Sequence, residues 1–181
     1  MNFTAIINQF FGTLSIVAQV ATVLIFIFLI IKKQQIFVKF FSEKKSLFCI
    51  FVVAFLAILG SLIYSEVIGY EPCKLCWFQR IFMYPQVFIL GLALLKKDFH
   101  MFDYSILLSA FGAFIAGYHY LLQIGIAPSL PCSAVGYSVA CSQRFVMQYG
   151  YITLPLMAFS TFILMLVLGI GAKISAKSKT N

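Results

Sequence analysis

Charge is what this sequence has least of: only 10% of its 181 residues are charged, and five of those are acidic. Set against 62% hydrophobic residues and a mean hydropathy of +1.02, so little charge excludes a soluble globular domain. No basic residue precedes Lys32, so the charged start of a cleavable signal peptide is missing and the first apolar run is expected to be retained. Two histidines and five cysteines with a single Cys-x-x-Cys supply no four-ligand set, and no metal site is expected.

What is present in quantity is apolar chain. Five runs, at 10–31, 46–68, 77–95, 104–124 and 151–171, each come close to the roughly 20 residues that a spanning helix needs. Little chain is left for anything else, so an all-α polytopic membrane protein is expected, with residues 1–181 forming one integral membrane domain. Gly112, Ala113, Ala116 and Gly117 form interleaved small-x-x-x-small pairs, which let a neighbouring helix approach closely. Pro85 is expected to kink the third span. Gln19, Thr13, Thr22 and Ser15 in the first span are read as bonding mainly to their own backbone.

The net charge of +8 is distributed by topology and does not point to nucleic acid. Ten of the thirteen basic residues (Lys32, Lys33, Lys39, Lys44, Lys45, Lys96, Lys97, Lys173, Lys177 and Lys179) fall on alternate connections. The positive-inside rule places those connections in the cytoplasm, with the N-terminus outside and the C-terminus inside. The segment 32–45 interleaves Lys with aromatic and aliphatic residues and is read as lying on the membrane lipid of the inner leaflet.

That orientation puts four of the five cysteines on the outer, oxidising side: Cys73 and Cys76 as Cys-x-x-Cys, and Cys132 and Cys141 in the segment 125–150. Cys49 is expected to be a buried, inert thiol. Two cysteines at this spacing close and reopen a disulfide by thiolate exchange, and a helix N-terminus helps to hold the thiolate. The second pair is either a staple or one half of a relay with the first. The tail of that segment, 142–149, is read as a short interfacial helix.

Arg80 follows Cys76 by four residues, on the same helical face with a rise of about 6 Å. It either snorkels to the lipid phosphates or polarises a bound acceptor, and its shared face with a cysteine favours the second reading. His119 sits about 7 to 8 Å below the end of its span. It is either a satisfied polar residue or the other clamp, opposite Arg80, on one flat polar ligand. Glu66 either reaches the headgroups or turns inward to Arg80 or His119.

Taken together, Cys73-Lys74-Leu75-Cys76-Trp77-Phe78-Gln79-Arg80, Tyr118-His119, and then Cys132 and Cys141 resemble the DsbB disulfide-forming family, in its short-loop BdbC-like branch. The resemblance implies a four-helix transmembrane bundle, with the first span an added N-terminal helix. It also implies a thiol-disulfide oxidoreductase of the bacterial inner membrane that reoxidises a DsbA-like thioredoxin-fold partner and passes electrons to ubiquinone or menaquinone. By position, Cys73 and Cys76 are then the quinone-side pair, Cys132 and Cys141 the partner-side pair, and Arg80 and His119 the cofactor-binding residues. Gln79 stands where the longest-studied branch has an acid, and the second pair is closer in sequence than in that branch. Two rivals stay open: a vitamin K epoxide reductase-like protein, whose loop cysteines come before the Cys-x-x-Cys, and a non-enzymatic transport or assembly protein with structural disulfides.

Overall fold

The computed structural model describes residues 3–30, 43–98, 100–127 and 141–180, without the side chains of 43 and 176–180. Among the described residues there are five α-helices: α1 (Phe3–Ile30), α2 (Glu43–Leu62), α3 (Lys74–Lys96), α4 (Met101–Gln123) and α5 (Leu154–Thr180). A π-helical turn, Ile63–Val67, extends α2. All five are long and apolar enough to cross a membrane, as the apolar runs predict. The segment 32–45, read as lying on the inner leaflet, falls largely outside the described residues.

Side-chain register shows how the helices are ordered. Arg80 on α3 meets Ser61 on α2, while Gly91 lies against Phe51, so α2 and α3 run antiparallel. Gln79 reaches His119 and Phe82 stacks on Phe111, so α3 and α4 are antiparallel too. On α4, Gly112 lies under the Phe162 ring of α5, and a Cβ there would sit 2.3 Å from that ring. The small residues of α4 therefore face α5, with Ala116 fully buried. α2 to α5 thus form a four-helix bundle around a core that includes Leu47, Ile50, Leu90, Phe162 and Met165.

α1 stands outside that core. Only Gly12 and Ser15 are buried along its 28 residues, and most of its large apolar side chains face outward, where a bilayer would cover them. It is fixed by a few contacts. Gln19 donates to Ser160 of α5 at 3.0 Å and accepts from the Tyr151 hydroxyl at 3.3 Å, so this residue bonds across helices and not to its own backbone as expected. Thr13 and Thr22 do bond their own backbone, to Phe10 and Ala18.

Two other expectations are corrected, and one open alternative is decided. Cys49 is exposed on the outer face of α2 and not buried, because the packed face of that helix is carried by Ser46, Leu47, Ile50 and Ala54. Residues 142–149 form no helix; Gln148 and Ile152 instead exchange backbone hydrogen bonds of 2.9 Å as an isolated antiparallel bridge. Glu66 turns outward and accepts from Ser65 at 2.9 Å, and among the described residues it has no ion pair with Arg80 or His119. Pro85 lies inside α3, which continues through it.

Candidate functional site

The site is built at the end of the bundle where α3 begins. A helix leaves its first amide N–H groups without intrahelical acceptors, and here cysteine sulfurs take three of them. Cys73 is the N-cap, extended at φ −69° and ψ 170°, and its sulfur accepts from the Cys76 amide at 3.4 Å. Cys141 comes from the segment between α4 and α5, and its sulfur meets the amides of Lys74 and Leu75. Both sulfurs therefore sit at the positive end of the α3 dipole, where negative charge on sulfur is favoured.

Cys73 and Cys76 approach to 3.1 Å between sulfurs, in reach of a disulfide with a shift of about 1 Å. Cys141 packs against Cys73, with Leu122 beneath both, and is 1% exposed. Cys76 lies two residues inside the apolar helix Lys74–Lys96 and lines the cavity. The hydrogen bond to Cys76, followed by burial, pushes the Cys73 thiol up to about 12, with His119 opposing that rise. Burial is also the main reason that the Cys141 thiol is held above its ordinary range, against the pull of the α3 amides. Cys132 lies outside the described residues, so its contact with Cys141 is not part of this geometry.

His119 ties the parts together. It is 2% exposed, and both ring nitrogens are engaged: Nδ1 with Gln79 Nε2 at 3.0 Å, and Nε2 with the Cys141 carbonyl at 3.1 Å. A carbonyl only accepts, so Nε2 carries the proton and Nδ1 accepts from the Gln79 amide. The same Nε2 is 3.7 Å from the Cys73 sulfur. The imidazole thus fixes the backbone of Cys141 beside Cys73. Gln79, a departure from the family pattern when read in sequence, is the residue that orients that ring. Its position one helical turn beyond Cys76 was the available signal, but pairing with His119 depends on α4 register.

Arg80 is 9% exposed and donates to the Ser61 hydroxyl at 3.0 Å and the Ser61 carbonyl at 3.1 Å. Its guanidinium lies 5.2 Å from the centroid of Trp77, over the ring. Among the described residues the guanidinium has no carboxylate partner, the one ion pair being Lys173 with Asp103 at the other end of the bundle. A buried cation with no counter-ion and spare N–H groups is an open place for negative charge.

Cys73, Cys76, Gln79, Arg80 and His119 all line one cavity of about 340 Å³ that runs between the helices. Its remaining lining is mostly apolar, including Leu56, Met83, Ala158 and Phe162. Cys73, Cys76 and His119 also bring three soft donor atoms within 4.8 Å of one another. That closeness follows from the helix cap and the His119 bridge.

A family model described as "Disulfide bond formation protein DsbB" matches residues 43–172. The chain belongs to the DsbB family. The match covers α2 to α5 and leaves α1 outside it. "Probable disulfide formation protein C 1" of Bacillus anthracis is 43% identical over 124 residues, 67% of this chain and 88% of the relative. "SPbeta prophage-derived disulfide bond formation protein B" of Bacillus subtilis is 43% identical over 136 residues, 75% and 89% of the two chains. "Disulfide bond formation protein C" of the same organism is 42% identical over 123 residues, 67% and 87%. No solved structure gives a significant match. Membership of the DsbB family makes the chain a membrane protein of disulfide bond formation, with the chemistry of a thiol-disulfide oxidoreductase. The order of its cysteines, loop pair last, already set it apart from the vitamin K epoxide reductase-like pattern.

Proposed function

We propose that this protein makes disulfides by taking two electrons at a time from a DsbA-like thioredoxin-fold partner through Cys132 and Cys141, then Cys73 and Cys76, to a membrane quinone. The observation that carries the reading is Cys141 seated against Cys73, with both sulfurs on the amides of one helix N-terminus. A partner thiolate attacks the Cys132–Cys141 disulfide at Cys132 and releases Cys141 as a thiolate on the Lys74 and Leu75 amides. Cys141 then attacks the Cys73–Cys76 disulfide at Cys73. Its new bond to Cys73 frees Cys76 as a thiolate, one helical turn from Arg80. Cys132 is freed when the second partner thiol closes the partner's own disulfide, and it resolves the Cys73–Cys141 bond. The outer pair is then oxidised again and both electrons rest on Cys73 and Cys76.

A quinone fits the residues that face Cys76. The cavity is apolar for a hydrocarbon tail, and Arg80 offers unpaired N–H groups in a low-dielectric setting. Bound there, a membrane quinone, ubiquinone or menaquinone, supplies a two-electron acceptor oxidising enough to follow a DsbA-type thiol pair, which an ordinary thiol relay is not. Arg80 holds negative charge as it develops, and Cys76 faces the acceptor. His119 lines the same space, and we assign it the holding of Cys141. In the membrane, the lysine distribution orients the cysteine end toward the outside of the bacterial inner membrane and Lys96, Lys97 and Lys173 toward the cytoplasm.

The test is quinone reduction by the purified full-length protein supplied with a reduced thioredoxin-fold partner. Each of Cys73, Cys76, Cys132 and Cys141 is replaced by Ser in turn. Loss of turnover in all four variants supports the relay. Absence of quinone reduction by the unaltered protein, with both disulfides resisting mild reductant, would return the bridges to structural staples.

A further inference from the structure

The cavity beside the cysteines is not closed by the family's four helices alone. α1, outside the matched residues, contributes Phe11, Leu14, Ser15 and Ala18 to its wall. Phe11 reaches α2 where Gly60 leaves room, since a Cβ on Gly60 would lie 2.8 Å from the Phe11 ring. The same ring packs on Tyr64 at 5.7 Å between centroids.

Three hydroxyls of lining residues have no hydrogen-bond partner among the described residues: Tyr84 Oη on α3, a partly buried residue, and those of two buried residues, Ser15 Oγ and Tyr64 Oη. Ser15 and Tyr64 are 5% and 6% exposed, so water does not readily satisfy them. Tyr64 sits in the π-helical turn Ile63–Val67, a backbone irregularity that often accompanies a functional site. It lies one turn beyond Ser61, the residue that holds Arg80. The cavity thus has a cation at Arg80, two buried unpaired hydroxyls contributed by α1 and the end of α2, and a lining that is otherwise mostly apolar.

We propose that α1 completes the acceptor site: Ser15 and Tyr64 donate hydrogen bonds to one polar edge of an amphiphilic ring dione whose other polar edge meets Arg80. This rests on the quinone reading above and adds a specificity-determining helix to it. α1 then selects how the ring is seated, while the cysteines and Arg80 carry the electron transfer.

Binding is read separately from turnover by quenching of Trp77, the single tryptophan of the chain, whose ring stands 5.2 Å from Arg80. The full-length protein in detergent is titrated with a benzoquinone bearing a ten-carbon tail. Tyr64→Phe and Ser15→Ala each raise the Kd about three- to tenfold, the loss of one hydrogen bond. Ser15→Phe, which fills the α1 side of the cavity, abolishes quenching. Ser46→Ala removes another buried, unpartnered hydroxyl that does not line the cavity, and leaves Kd unchanged. An unchanged Kd in both Tyr64→Phe and Ser15→Ala overturns the role of α1 while leaving the quinone reading intact, and these mild changes decide the matter even where Ser15→Phe fails to fold. If the quinone does not quench Trp77 in the unaltered protein, the quinone reading fails as well.

Discussion

Two glutamines on α3, Gln79 and Gln86, lie seven residues apart and both reach α4, yet they build opposite kinds of polar node. Gln86 is fully buried; its carbonyl oxygen accepts from Ser105 at 2.7 Å and Ser109 at 3.1 Å, and its amide donates to Phe82 at 3.0 Å. That node is closed, and none of its three side chains lines the cavity beside the cysteines. Gln79 spends its amide on His119, which spends its other nitrogen on Cys141, and both Gln79 and His119 line the cavity together with Cys73 and Cys76. The difference is that one buried polar contact between helices only packs them, whereas the other opens onto space and sulfur, where the proposed relay runs. The closed node holds α3 to α4; the open one aims a cysteine.

The sharpest break in this comparison is His119→Leu. It cuts the bond to the Cys141 backbone, and relay turnover is expected to fall about 100-fold, the scale of a misplaced reacting group. Thermal unfolding in detergent should move little, whereas an equal loss of both would make the node structural. Gln86→Leu is expected to do the reverse. It strands two buried serine hydroxyls at about 1–3 kcal/mol each, so the unfolding midpoint drops while turnover per folded molecule is kept. Adding Ser105→Ala and Ser109→Ala to Gln86→Leu should recover most of the lost stability, since no polar group is then left unpaired.

Gln79→Leu comes next, with His119 still in place but one bond poorer. Turnover is expected to fall about tenfold, the equivalent of roughly 1.4 kcal/mol for one oriented hydrogen bond. The smallest effect concerns protons. In the reduced protein, the raised Cys73 thiol should resist alkylation past its ordinary 9.0 and react only as the pH approaches about 12. Cys76→Ala removes the largest cause of that rise, so the alkylation midpoint should move down. The sign for stability follows. Because folding raises this group's pKa, its contribution is complete below about pH 9 and is lost as pH climbs toward 12. Mass spectrometry of alkylated peptides across that range reads the first, and unfolding midpoints of the reduced protein read the second.

Composition and spacing determined a good deal of this protein by themselves. Five runs of adequate length and apolarity required five spanning helices, because backbone polar groups in hydrocarbon must be paired within each segment. Small residues on α4 marked its packed face, and the i, i+3 and i, i+4 spacing of Cys73, Cys76 and Arg80 put them along about two turns at the start of α3. Tertiary structure decided the rest. Cys141 against Cys73, Gln79 on His119, Cys49 turned outward, and Ser15 and Tyr64 left unpaired in one cavity all depend on how each helix is rotated and slid against its neighbours. Helical periodicity fixes which residues share a face, but between uniformly apolar helices in lipid only shape and a few polar contacts choose which faces meet.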